Sequence, residues 1–215
     1  IKPVGESKAD FEILNEVMAA LGYANSFTTA EEVFAEMASV TPSYGGMSYD
    51  RLEGDGLQWP CPTKDHPGTP ILHVGKFSRG ERALFKPAPY RPSAETPDAE
   101  YPMIFTTGRI LYHYHTSTMT GRVEGLMNIA GSSYVEINPA DAAKLEVVSG
   151  DKVRVTSRRG SLVVDARVTD IVAEGVLFMP FHFADGPANV LTNTVIDPTA
   201  KIPELKVCAA RIEKA

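Results

Sequence analysis

A chain of 215 residues that is 43% hydrophobic and 22% charged is long enough to bury a core, and no apolar run in it approaches the length of a membrane span. The net charge of −6 excludes a sequence-independent nucleic-acid binder, which needs a basic face, so any local arginine cluster serves something smaller. The two cysteines, Cys61 and Cys208, cannot by themselves hold an iron–sulfur cluster and are expected to be reduced thiols in a cytoplasmic protein. The start at Ile1-Lys2-Pro3, with no initiator Met and no leader pattern, reads as the cut end of something longer.

Ser7-Lys8-Ala9-Asp10 reads as a capping box, after which Phe11, Leu14, Val17, Met18 and Leu21 fall at helical spacing and Gly22 ends the run. Thr29-Ala30-Glu31-Glu32 repeats the start signal, with Val33, Phe34 and Met37 as a second apolar face and Pro42 as the stop. Both stripes are expected to pack in a core. Residues 41–100 turn to Gly, Pro and aromatics and predict a long irregular connection, with Trp59 as a loop anchor and Ile71-Leu72-His73-Val74 as a possible short strand. Residues 87–102, rich in proline and acidic side chains, read as an extended linker. The domain boundary is expected near Tyr101, giving domains 1–100 and 101–215.

Pro102-Met103-Ile104-Phe105 predicts a buried strand. Further strands are expected at Tyr134-Val135-Glu136-Ile137, around Val153 and Val155, over Leu162, Val164, Ala166 and Val168, and over residues 175–180. Asn138-Pro139 has the chemistry of a helix start, and Ser157-Arg158-Arg159-Gly160 reads as a hairpin turn. Short strands with period-two faces and few helices predict a mainly β fold with α+β surroundings, closed as a small barrel. The alternation alone does not distinguish one Greek-key barrel from another.

The first strand delivers the loop 106–122, which holds six Thr/Ser, two Tyr, two His and two Arg. So many donors after a core strand suit a multi-oxygen anion, because buried phosphate oxygens need hydrogen bonds and positive charge. Arg109 at the strand's end supplies a bidentate fork, and Gly108 lets backbone N–H groups come close. His113 and His115 share a face if extended, but they lack a third metal ligand and a nucleophile to activate; donation to a ligand is the better reading. No catalytic residue and no metal ligand is assigned. Arg122 is a weaker candidate than Arg109, and Arg158 and Arg159 are expected to face solvent. Asn189 follows the turn-forming Asp185-Gly186-Pro187 and Lys206 opens the last strand, so each is equally readable as turn or surface.

The pattern T-G-R-x-x-x-H-x-H-T-x-x-M-T resembles the dinucleotide-binding motif in the C-terminal domain of the molybdopterin oxidoreductases, a family containing formate dehydrogenases and nitrate reductases. Phe181-His182-Phe183, residues 188–192 and Pro203-Glu204-Leu205-Lys206 resemble, in order, the later cofactor-contacting segments of that domain. The resemblance implies a six-stranded double-psi β-barrel, preceded by two helices and a long irregular segment. It also implies a molybdopterin guanine dinucleotide held by Thr107, Gly108, Arg109, Tyr112, His113, His115, Thr116, Thr118, Met119, Thr120, Asn189 and Lys206. Residues 49–52, 56–62 and 66–70 resemble formate dehydrogenase catalytic subunits more than nitrate reductases.

On that basis the expected activity of the whole subunit is formate oxidation to carbon dioxide, at molybdenum or tungsten. Two electrons would pass to 4Fe-4S clusters in an absent N-terminal portion, with an iron–sulfur or diaphorase subunit as partner. The 215 residues alone are expected to be inactive. A nitrate reductase or another oxidoreductase of the same family, or from another class a non-enzymatic double-psi barrel that binds a protein partner, are the alternatives.

Overall fold

The computed structural model describes residues 1–23, 27–77 and 79–215. The chain divides into two compact units, Ile1–Pro87 and Ala88–Ala215, so residues 88–100 lie with the second unit. Among the described residues no helix is long and apolar enough to cross a membrane.

In the first unit, helix α2 (Ala30–Val40) is capped as its sequence predicts. Thr29 Oγ1 accepts from the Glu32 N–H at 3.2 Å, and the Glu32 carboxylate accepts from the N–H groups of Thr28 and Thr29 at 2.6 and 3.1 Å. Helix α1 (Asp10–Ala20) departs from expectation. Its cap is Ala9, which has no side-chain acceptor, so only the returning half of the box forms, Glu12 accepting from the Ala9 N–H at 2.9 Å. Ser7 is instead held in the preceding turn, its N–H donating to the Val4 carbonyl.

The expected core stripes are also corrected. No residue of α1 is buried, and Leu14, Val17 and Leu21 are at least half exposed; in α2 only Ala38 is buried. Phe34 finds edge-on partners in Tyr44 and Tyr49, with ring centroids at 6.4 and 5.7 Å, while Met37 is exposed. Periodicity says which face of a helix can be buried, not whether a partner is within reach.

The connection beyond α2 is knit around Arg51. Its guanidinium donates to the carbonyls of Gly46 and His66, the latter at 2.8 Å, beside a ladder in which Cys61 N–H meets Ser43 O and Gly46 N–H meets Cys61 O, both at 2.8 Å. A Cβ at Gly46 would stand 2.0 Å from the Thr63 carbonyl oxygen, so the close approach requires glycine there. Residues 71–74 form turns and bends rather than the expected strand, with Ile71, Leu72 and Val74 exposed.

The second unit is a closed barrel of β1 (Met103–Gly108), β2 (Tyr134–Ile137), β3 (Lys152–Thr156), β4 (Ser161–Val168), β5 (Val176–Pro180) and β6 (Cys208–Lys214). The order around it is β1-β5-β2-β4-β3-β6, with β1/β5 and β2/β4 parallel and the other neighbours antiparallel. Exchanging the halves, β1 with β4, β2 with β5 and β3 with β6, reproduces both the order and every pairing sense. This is the six-stranded double-psi barrel. Alternation puts Val153 and Val155 inside and Lys152 and Arg154 outside, and the core gathers Phe105, Val135, Ile137, Leu177, Met179 and Ile212. Asn138 caps helix α3 (Pro139–Lys144), its Oδ1 accepting from the Ala140 N–H at 2.9 Å.

Arg159 is not the solvated turn residue expected from sequence. Its guanidinium forks onto Glu95 at 2.5 and 3.1 Å and also donates to the Leu191 carbonyl at 3.1 and 2.9 Å. Glu95 also accepts from the Ala209 N–H at 2.8 Å, and the Arg159 bonds hold its carboxyl below the usual range. Arg158 pairs with Glu95 and Asp98 and lies 4.6 Å from the Tyr101 ring centroid. The turn faces the extended segment 88–101, which no local pattern reveals.

Candidate functional site

Parallel pairing of β1 with β5 sets Gly108 opposite Pro180, and the Phe181 N–H donates to the Gly108 carbonyl at 3.1 Å. The loops 109–133 and 181–207 therefore start side by side at one end of the barrel. Between them lies a cavity of about 750 Å³, lined by Thr107, Arg109, His115 and Thr116 from one side and Phe181, His182, Asn189, Leu205 and Lys206 from the other. Residues more than 60 positions apart in sequence, such as Arg109 and Asn189, thus meet as the motif reading expects.

Some of these side chains build the wall rather than face the space. Thr107 is buried and its hydroxyl donates to the Leu205 carbonyl at 2.9 Å, while the Lys206 ammonium donates to the Thr107 carbonyl. The two contacts seam the last loop to the end of β1. A Cβ at Gly108 would stand 2.5 Å from the Phe178 ring, so any side chain there would force that ring to shift. Arg109 is exposed and, among the described residues, has no ion pair. With Lys206 it gives the cavity two cations, and no carboxylate lines it. The surplus of positive charge suits an anion.

His113 does not line this cavity. It is 3% exposed, with Nε2 at 2.6 Å from the Ala130 carbonyl and Nδ1 at 3.0 Å from Thr120 Oγ1. A carbonyl only accepts, so Nε2 carries the proton and Thr120 donates to Nδ1 while accepting from the Tyr114 N–H at 3.2 Å. His113 and Thr120 clasp the loop from within. His115 and Ser117 take left-handed backbone with φ of 51° and 63°, the kind of conformation that clusters where a loop is shaped for a ligand. Thr118 bonds Thr116 between hydroxyls at 2.9 Å, Met119 and Tyr114 are exposed, and Tyr112 lines a neighbouring groove rather than this cavity.

In sequence His182 stands only as part of a resembling stretch, and the structure gives it more weight. Both of its ring nitrogens are buried without a hydrogen-bond partner among the described residues, and its ring centroid lies 4.2 Å from that of Phe183 and 5.0 Å from that of His113. Burial, then the neighbouring His113, holds its pKa below the ordinary imidazole value. A buried polar group without a partner asks for one from outside the chain. The only signal in sequence is a histidine between two phenylalanines at the end of an apolar strand.

Residues 103–209 match the molydopterin dinucleotide binding domain. Over essentially its whole length the chain is 47% identical to an F420-dependent formate dehydrogenase subunit alpha of Methanocaldococcus jannaschii, and 49% identical to subunit alpha of the F420-dependent formate dehydrogenase 1 of Methanococcus maripaludis. It covers 100% and 98% of itself in those comparisons and 32% of each relative, so it spans about a third of their length. A nitrate reductase of Symbiobacterium thermophilum is 40% identical, again over 100% of this chain and 32% of the relative. Acetylene hydratase from Pelobacter acetylenicus shares the fold with a TM-score of 0.65 over 100% of this chain and 34% of that one, at 16% identity. Through its barrel, this chain belongs to the family of the molydopterin dinucleotide binding domain.

Proposed function

We propose that this chain is the C-terminal, cofactor-holding part of a formate dehydrogenase catalytic subunit, and that the cavity between the two loops grips a molybdopterin guanine dinucleotide. The observation that carries the reading is the carboxylate-free cavity at the paired ends of β1 and β5, which Arg109 and Lys206 line with positive charge, Arg109 being free of any ion pair among the described residues. The donor set fits such a group: cations and hydroxyls for phosphate oxygens, and an unpartnered imidazole for a heterocycle edge. Formate is favoured over nitrate because the formate dehydrogenase relatives are 46–49% identical and the nitrate reductase 40%.

When bound, the cofactor supplies the molybdenum or tungsten centre at which formate gives up two electrons. This chain contributes binding and orientation. Arg109 neutralises and bonds the dinucleotide's phosphates, Asn189 and Thr116 add donors across the cavity, and His115 joins them from its left-handed turn. Thr107, Lys206, His113 and Thr120 hold the loops in place. The cysteine or selenocysteine at the metal, the 4Fe-4S clusters and the contacts to an electron-transfer subunit belong to the rest of a longer cytoplasmic polypeptide, and the relatives' names support F420 as the eventual acceptor.

The test is Arg109→Ala in the full-length subunit, with metal and guanine dinucleotide counted per subunit. Loss of a hydrogen bond to a charged group, roughly 1.5–3 kcal/mol, weakens retention about ten- to hundredfold. Arg154→Ala, on the exposed outer face of β3, is the control. Equal cofactor content in both variants would refute the assignment, and formate rather than nitrate turnover by the intact subunit separates the two substrates.

A further inference from the structure

A second groove, of about 600 Å³, runs along the outer wall of the barrel beneath the first loop. Its floor includes Glu136. On β2 the side chains of Val135 and Ile137 enter the core, so Tyr134 and Glu136 point outward, yet Glu136 is only 8% exposed. Its register partner on β4 is Arg167, whose guanidinium lies 3.6 Å from the Tyr134 ring centroid and reaches the Glu136 carboxylate at 3.8 Å, too far for a hydrogen bond. Among the described residues no donor bonds the Glu136 side chain. An ionised carboxylate has about four acceptor positions, and at 10% side-chain exposure few of them face solvent, so a donor brought into the groove would bond there in largely dry surroundings. Burial raises the Glu136 pKa and Arg167 only partly offsets the rise.

The rim is apolar and open, with Leu111 89%, Ile171 82% and Ile129 60% exposed. Contiguous apolar surface around a buried, unfilled acceptor marks a docking site. Arginines at the rim would favour an anion if Glu136 were already bonded. The deepest polar group, however, lacks donors, and Arg167 is engaged on Tyr134. Arg109 lines both this groove and the cofactor cavity, so an element that closes the cavity passes the groove's mouth.

We propose that the groove seats an arginine or lysine carried on an apolar segment of the longer polypeptide, its cation bonding Glu136 and its neighbours covering Leu111, Ile129 and Ile171. The proposal rests on the reading of this chain as part of a longer subunit, which the one-third coverage of the relatives supports. The occupant is polypeptide rather than nucleotide because the most exposed lining side chains, Leu111, Ile171 and Ile129, are aliphatic, with Tyr112 the one ring exposed beside them.

The experiment places a photo-crosslinking amino acid at Leu111, and separately at Ile171, in the full-length subunit, and maps the adducts by peptide mass spectrometry. Adducts on a peptide outside these 215 residues, bearing Arg or Lys among apolar residues, are expected. Glu136→Gln, which keeps size and removes charge, should lower their yield several-fold. Replacing the mapped basic residue by Met should lower it equally, with no further loss in the double variant. Adducts confined to these 215 residues, adducts on a separate subunit, protection by GMP, or a yield indifferent to Glu136→Gln would each overturn the proposal. Cofactor content separates the two readings: a loaded subunit without the adduct refutes the groove alone, and an adduct without guanine dinucleotide refutes the cofactor assignment alone.

Discussion

Glu95 and Arg159 stand 64 residues apart in the chain and meet in a two-pronged ion pair that binds the extended segment ahead of β1 to the β3–β4 turn. Both side chains are largely buried, with 15% and 22% exposure, and Glu95 also caps the Ala209 N–H. Removing one partner strands the other.

Glu95→Ala or Arg159→Ala should therefore destabilise the 215-residue chain by roughly 1–3 kcal/mol, whereas Arg154→Ala, whose exposed contact to Glu213 spans 4.0 Å, should stay within about 0.5 kcal/mol. Urea titration of the three variants measures this. Because the Glu95 carboxyl is held below its ordinary value, its contribution is present above a pH of about 4.3 and is lost as pH falls through the lower, folded value. Arg159→Ala should flatten that acid limb; an unchanged limb would contradict the assignment.

His182 gives a second pH dependence of the same sign. Its folded pKa is depressed, so the unfolded chain binds the proton more readily. Stability is full above a pH of about 6.5 and falls as pH drops through the folded value. Thermal melts from pH 7.5 to 5 should show the decline, and His182→Phe should remove most of it. A decline that survives the substitution would point to another group.

Glu136 has the opposite slope. Its folded pKa is raised, so ionisation costs stability as pH climbs from about 4.3 through the folded value. In the 215-residue chain, Glu136→Gln should raise stability at pH 7 by on the order of 1 kcal/mol. Calorimetry at pH 4 and pH 7 should find the gain at the higher pH only.

Limited trypsin digestion should cut at Arg79 or Arg82, where the chain is exposed, well before Arg51, whose guanidinium is committed to the carbonyls of Gly46 and His66. Arg51→Gln should open the 42–69 segment to early cleavage. First cleavage at Arg51 in the unaltered chain would show that the hub is weak.

The barrel's strands were legible because their rules are local: alternation around Val153 and Val164, Asn138-Pro139 at a helix start and a four-residue turn at 157–160 leave little freedom, whereas the double-psi closure, set by non-local pairing, followed only from the family resemblance. The candidate site residues came from a family pattern, and the structure brings four of them, Arg109, His115, Asn189 and Lys206, to one cavity. What failed depended on distant partners. Arg159 looked solvated because Glu95 lies far upstream, and the α1 stripe looked like core because spacing cannot report what covers it. His113 looked like a ligand donor until the Ala130 carbonyl and Thr120 were seen to occupy both nitrogens. His182 went unweighted because an empty hydrogen-bond position has no sequence signature.

The exchange of halves that preserves the barrel's strand order has an evolutionary reading. A fold that maps onto itself in this way has two equivalent mouths, one where β1 meets β5 and one where β2 meets β4. At the second, the Thr169 N–H closes onto the Ile137 carbonyl at 3.0 Å, the Asn138 side chain bonds the Val172 carbonyl at 2.8 Å, and Asp141 takes the Gly175 N–H at 2.6 Å. That mouth is stitched shut by short connections, while its twin has grown long loops and opened. A duplicated ancestor would have kept one copy as the hinge pin of the architecture and freed the other to acquire chemistry, so loops at the open mouth can diversify without unravelling the scaffold that presents them.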